Sequence, residues 1–430
     1  MSLLLARIGL IIIVAAAAFL VGPVKRAYHV SGYGRDIQPI TDFPYKCRRL
    51  YEPLATNERP HAAEDMWLSE ATRQLFLAAS DQHARKQWFP NMGHLNLTGR
   101  SEIDAVIVLD IDALDPSSSK VDASSYRVLS TPRFKGTAGD GHFHIIGISG
   151  LETDEGIKLY FTNNRPSVDA VTGELLDQTV VGANATIEVF ATGPKATRMK
   201  HERTYAHRHI VTPNNVAPVP DTEEGIYITN DHGQHKTGLQ FTLSPWLATG
   251  DVTYCSPTTC RIVSKSHKFP NGLLRSRREG LLYVPSSAGA GVYVYRILAS
   301  HDLEQVAHID IPWSLDNLSE DANGDIYAAA FPKPIEALTV FNGPELKTYA
   351  TATVLRIRKD EGAEGGYVWD KILEDRDRVV LPGATTVVHD ARTGRLFLSG
   401  NVSPFITVCE PWGGIGLSAV REHEGIGVTQ

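Results

Sequence analysis

Ser314-Leu315-Asp316-Asn317-Leu318-Ser319-Glu320-Asp321-Ala322-Asn323-Gly324-Asp325-Ile326-Tyr327-Ala328 carries two signals in one stretch. The first is a carboxylate and an amide side by side, Asp316-Asn317. The second is an apolar-aromatic-apolar triplet, Ile326-Tyr327-Ala328, placed just after a polar turn. The triplet recurs as Leu75-Phe76-Leu77, Leu159-Tyr160-Phe161, Ile226-Tyr227-Ile228, Leu282-Tyr283-Val284 and Leu396-Phe397-Leu398, six copies in all. Most copies are followed by a turn and another β-rich segment, such as Ala105 to Leu109, Val292 to Tyr295 or Phe405 to Val408. Triplet and follower read as the middle strands of a small antiparallel sheet. The copies stand roughly 45 to 85 residues apart, a degenerate repeat of the kind found in propellers and solenoids. Long amphipathic helical patterns are nearly absent after residue 26, so radial repetition is favoured. The expected fold is all-β, a six-bladed β-propeller over residues 27–430, closed by its N- and C-terminal segments.

Oxygen donors recur beside the triplets: Glu64-Asp65, Asn214-Asn215 after Thr212-Pro213, and Asn230-Asp231 at a strand end, besides Asp316-Asn317. A lone Asp-Asn pair reads as an ordinary turn. Four such pairs spread along the chain would meet only in a fold whose repeats point inward at a common axis. Several hard oxygens of mixed charge aimed at one point suit Ca²⁺.

At 430 residues, with 42% hydrophobic and 21% charged residues, the chain can bury a large core. A net charge of -7 and the lack of a basic stripe with interleaved aromatics exclude a nucleic-acid partner as an expectation. After Arg7, the run Ile8 to Val24 is apolar and is closed by Lys25-Arg26. Residues 1–26 therefore read as a membrane anchor, or as a signal peptide cleaved near Ala15 to Ala18. Either reading sends the body into the secretory pathway, lumenal or extracellular when anchored and secreted when cleaved. Four cysteines permit three pairings, among them Cys47 with Cys409 and Cys255 with Cys260. Asn96, Asn184 and Asn401 lie in sequons and are candidate glycosylation sites.

Ala63-Glu64-Asp65-Met66, Gly147-Ile148-Ser149, Pro213-Asn214-Asn215-Val216, Thr229-Asn230-Asp231-His232, Leu315-Asp316-Asn317-Leu318 and Val408-Cys409-Glu410, in that order, resemble the paraoxonase/arylesterase family. Its members are calcium-dependent six-bladed propellers that hydrolyse lactones and aryl esters. The resemblance implies a small-molecule ester or lactone substrate and two calcium ions. The catalytic ion would use Glu64, Asn214, Asn230, Asp316 and Asn317. A second, structural ion would use Asp65, the backbone carbonyl of Ile148 and Asn215; the family usually has Asp at the last position, so this site is expected to be the weaker. The family's water-activating histidines fall on Ile146 and Asn164, which cannot take a proton near neutral pH. His144, two residues before Ile146 and on the same face of an extended strand, is the candidate substitute base, with His142 and His232 behind it. The missing pair leaves open a calcium-containing propeller that binds without turnover, and a strictosidine-synthase-like propeller is a third reading.

Overall fold

The computed structural model describes residues 21–412 apart from residue 23 and the segments 51–60, 123–124, 137–139, 221–223, 344–345 and 347–348. Most of the apolar run Ile8 to Val24 lies outside the described residues. The chain enters through a helix over residues 24–31, and among the described residues no helix is long and apolar enough to cross a membrane.

Six four-stranded antiparallel sheets follow, the blades of a six-bladed propeller. Their innermost strands are Ala62–Ser69, Ile145–Thr153, Pro213–Pro218, Leu274–Arg275, Ser314–Glu320 and Thr386–Asp390, for blades one to six. All six triplets lie on the second strands: Gln74–Ser80, Gly156–Arg165, Ile226–Asn230, Leu282–Pro285, Ile326–Phe331 and Arg395–Ser399.

The triplet pattern follows from strand geometry, since successive side chains point to opposite faces of a sheet and each blade has a neighbour on both. The two flanking apolar residues face the preceding blade and the central aromatic faces the next. Leu75 and Leu77 pack with Phe397 and Val408 of blade six, whereas Phe76 packs with Ile145, Leu159 and Phe161 of blade two. The alternation repeats around the ring: Tyr160 joins the core between blades two and three, Tyr227 that between three and four, and Tyr283 and Tyr327 the next two. Phe397 closes the circle.

Closure is also covalent. Blade six takes its outermost strand, Tyr45–Leu50, from the N-terminal side of the chain, paired antiparallel to Ile406–Pro411 with Cys47 opposite Cys409. Those two cysteines form a disulfide, and Cys255 and Cys260 form the other. The closing bond spans 362 residues, and the chain-entropy model assigns such a loop about 6 kcal/mol. Cys47→Ala is therefore expected to lower unfolding free energy by that amount in denaturant titrations, and Cys409→Ala by the same. A loss below about 1 kcal/mol for both would show that strand pairing alone closes the ring.

Candidate metal centre

The innermost strands are irregular at equivalent places. Their pairing with the second strand slips between Ala63 and Met66, between Ile145 and Ile148, between Pro213 and Asn215, and between Leu315 and Leu318. Each slip is a bulge, which leaves residues unpaired and re-aims their side chains. The slipped residues are Glu64-Asp65, Ile146-Gly147, Asn214, with Asn215 beside it in register with Thr229, and Asp316-Asn317. In blade four the corresponding pair is Asn271-Gly272, between the bridge Pro270–Ser286 and the strand beginning at Leu274. In blade six it is Thr385-Thr386, where Thr385 donates its amide to Ser399.

These pairs make a ring of two levels. Glycine is required at two second positions: a Cβ on Gly147 would meet the Asn214 carbonyl oxygen at 2.5 Å, and one on Gly272 would meet the Asn317 Oδ1 at 2.2 Å. The first level holds Glu64, Asn214, Asn271 and Asp316, all buried. Glu64 Oε2, Asn214 Oδ1 and Asp316 Oδ1 are buried oxygens without a hydrogen-bond donor. Burial, then the charge of Asp316, pushes the Glu64 carboxyl well above the usual range; burial, then Asp65, does the same to Asp316. Unpaired buried acceptors and repelling carboxylates are costly, and a hard cation relieves both costs at once. Among the described residues no group of three or more His, Cys, Asp or Glu is spaced to hold a metal ion. An ion here would thus rely on amide oxygens beside Glu64 and Asp316.

Asn271 belongs to this level although its sequence context hid it: its amide hydrogen-bonds Asp316, and its own Oδ1 accepts from the Gly272 N–H at 2.8 Å. Asn230 does not face the open oxygens. It ends a second strand, its Oδ1 accepts from the Val211 and Thr212 amides, and its Nδ2 donates to His209 O and Asp251 Oδ1. Asn317 acts on Glu64, donating to its carbonyl and to Oε1 at 3.0 Å each, which leaves Oε2 free. Thr385 Oγ1 fixes the same carbonyl at 2.7 Å.

Ile148 donates its N–H to Asp65 Oδ2 at 3.1 Å. Beneath this second level the channel opens into a cavity of about 290 Å³ bounded by Asp65, Ile148, Asn215, Trp67 and Leu318.

Above the first level a loop of blade one folds inward. Asn91 anchors it, donating to Asp231 Oδ2 at 2.7 Å and accepting from Asn164 Nδ2 at 2.8 Å, and Trp88 Nε1 donates to the Asn164 carbonyl. Below it lies a cavity of about 10 Å³, room for a single water, lined by Arg85, Trp88, Asp104, His144, Ile146 and Asn164. His144 is buried, and its Nε2 has no partner. Burial, with some help from Arg100, holds its imidazole down at about 3. Arg85 is fully buried as well, its terminal nitrogens unpartnered, with Asp104 and Glu64 as the nearby opposite charges. His232 spends both ring nitrogens, on Asn91 O and on Phe241 O with Ser244 Oγ. His142 points Nδ1 at Glu102 O. Asn96 is exposed and Asn184 half-buried, but Asn401 is 3% exposed, so its sequon offers no surface for a glycan.

The family model described as Arylesterase matches residues 177–399, more than half of the chain. Mouse serum paraoxonase/lactonase 3 is 26% identical over 160 residues, 36% of this chain and 44% of the relative. Human serum paraoxonase/arylesterase 2 is 25% identical over 181 residues, 40% of this chain and 48% of the relative. The chain thus spans less than half the length of the curated relatives it matches. A solved gluconolactonase of Xanthomonas campestris superposes with a TM-score of 0.45 at 15% identity, covering 87% of this chain and 98% of that one. With the family model matching from the second blade into the sixth, and six blades around one bulged ring, the chain belongs to the arylesterase family.

Proposed function

We propose that this chain is a calcium-dependent hydrolase of lactones or aryl esters, its ion held by Glu64, Asn214 and Asp316. The observation that carries the reading is the presence of three buried, donorless oxygens on the bulged innermost strands, two of them on carboxylates that repel each other. When bound, calcium supplies the charge that polarises an ester carbonyl and offsets developing oxyanion charge. Asn317 orients Glu64 so that Oε2 stays open, and the Asn271 amide steadies Asp316. The loop carrying Trp88 and Asn91 limits water to the small cavity beside Ile146. There His144 Nε2 is the group placed to accept a proton from water. Two disulfides fit an oxidising compartment, and we assign the body to the secretory route, with residues 1–26 as anchor or cleaved leader and Asn96 as the best exposed glycan acceptor.

The test is a panel of lactones and aryl esters assayed with calcium and after chelation. Hydrolysis that falls by about 10²-fold or more on chelation and returns with calcium is the expected outcome. No turnover of any panel member by calcium-loaded protein would favour a binding propeller, a reading supported by Ile146 and by the commitment of Asn164 to Asn91. Turnover indifferent to chelation would remove calcium from the account.

A further inference from the structure

We infer that the second level of the ring is not a metal site in this chain: the Asn215 amide group occupies the cation's role, and the level is a hydrogen-bonded plug. The inference rests on the calcium reading above for the first level only.

The two levels differ in what their oxygens lack. On the first, Glu64, Asn214 and Asp316 each present a buried oxygen without a donor; on the second, Asp65, Asn215, Asn317 and Thr386 present none. Asp65 is fully satisfied. Its Oδ1 accepts from the Met66 amide at 2.8 Å and from Thr386 Oγ1 at 3.2 Å, and its Oδ2 accepts from the Ile148 amide at 3.1 Å and from Asn215 Nδ2 at 2.9 Å. That same Nδ2 donates its other proton to Asn317 Oδ1 at 3.0 Å. One NH₂ group therefore bridges a carboxylate and an amide oxygen from two different blades, where a cation would have to bind both.

The orientation of Asn215 is fixed by a third contact, because its Oδ1 accepts from the Val216 amide at 2.7 Å. Turning the side chain over would set NH₂ against that N–H and bring an oxygen against Asp65 and Asn317, an arrangement with lone pairs facing lone pairs. The Ile148 N–H adds a further donor to Asp65, which needs no cation to satisfy it. Calcium affinity is set largely by ligand charge count, and Asp65 is the one carboxylate here. Asn215→Asp removes the NH₂ bridge and adds a second carboxylate opposite Asp65, so the level should then need a cation.

The experiment counts calcium in extensively dialysed protein by elemental analysis and follows binding by calorimetric titration with calcium alone. Wild type is expected to bind a single equivalent that disappears in Asp316→Asn, and Asn215→Asp to bind a second equivalent that survives in the Asn215→Asp, Asp316→Asn double variant. A second equivalent in wild type that survives Asp316→Asn overturns the inference while leaving the hydrolase reading intact. No calcium in wild type but one equivalent in Asn215→Asp supports the plug and sinks the first-level site. No gain in a folded Asn215→Asp overturns the plug. Should that variant fail to fold, the wild-type count and its response to Asp316→Asn decide the matter.

Discussion

Asp316→Asn is expected to weaken calcium binding by about 10²-fold or more and, with chelator present, to raise the melting temperature rather than lower it. The two effects have opposite signs because one carboxylate serves two states. With the ion, Asp316 and Glu64 are the negative charges of the first level. Without it they are buried and repel each other, and both carboxyls are pushed well above the usual range. A carboxyl whose folded pKa is raised binds its proton more tightly folded than unfolded. Its contribution to stability is then present at low pH and is lost as pH rises from the ordinary carboxylate range, near 4, through the raised folded value. Chelated wild type should therefore melt progressively lower as pH rises above the ordinary carboxylate range, and Asp316→Asn, with one repelling charge removed, should show a shallower decline. Calcium-loaded wild type should lack this decline, since binding selects the ionised ligands. Calorimetry in calcium and in chelator as pH is raised checks all three. An Asp316→Asn protein that keeps calcium, or melts below wild type in chelator, would show that Asp316 counts for more as the acceptor of the Asn271 amide than as a ligand or a repelling charge.

What the sequence revealed follows from which features are local. The triplets were legible because a second strand between two neighbours must alternate its faces, and aromatic and branched residues record that alternation directly. The donor pairs were legible where both members carry oxygen. Asn271 was hidden because its partner is Gly272, a residue demanded by the closeness of Asn317 and not by any ligand. A positional signal could have found it: Asn271 stands as far before Leu282 as Glu64 before Leu75, whereas Asn230 follows its triplet and so lies at the wrong end of the strand. The direction of the Asn215 amide was not legible at all, since it depends on the Val216 N–H and on contacts from two other blades. The depth of Asn401 is likewise a product of packing, invisible in a three-residue sequon.

His144→Gln is expected to lower turnover of a lactone by about 10²-fold or more while leaving bound calcium and KM nearly unchanged, the pattern of a group acting only in the chemical step. Proximity favours it: His144 shares the small cavity with Ile146 and Asn164, and its Nε2 has no other partner. Titration limits it. Sequence alone would place the acid limb of the pH profile near an ordinary histidine, at about 6–7. Burial holds this imidazole down at about 3, so the neutral acceptor persists through the whole accessible acid range and the limb should move below pH 5. The same shift makes it a weak base, which predicts modest turnover by a well-formed site. Asp104 is the control, because its Oδ1 is also without a partner and burial raises its carboxyl. If Asp104→Asn abolishes turnover and His144→Gln leaves both rate and profile intact, the proton goes to the carboxylate. Ile146→His alone is the informative gain-of-function variant, since it adds a ring to the cavity without disturbing Asn164, whose amide ties blade two to the Asn91 loop. A rise in turnover would show that metal ligands, loop and cavity were already competent and that a base at this one position set the rate.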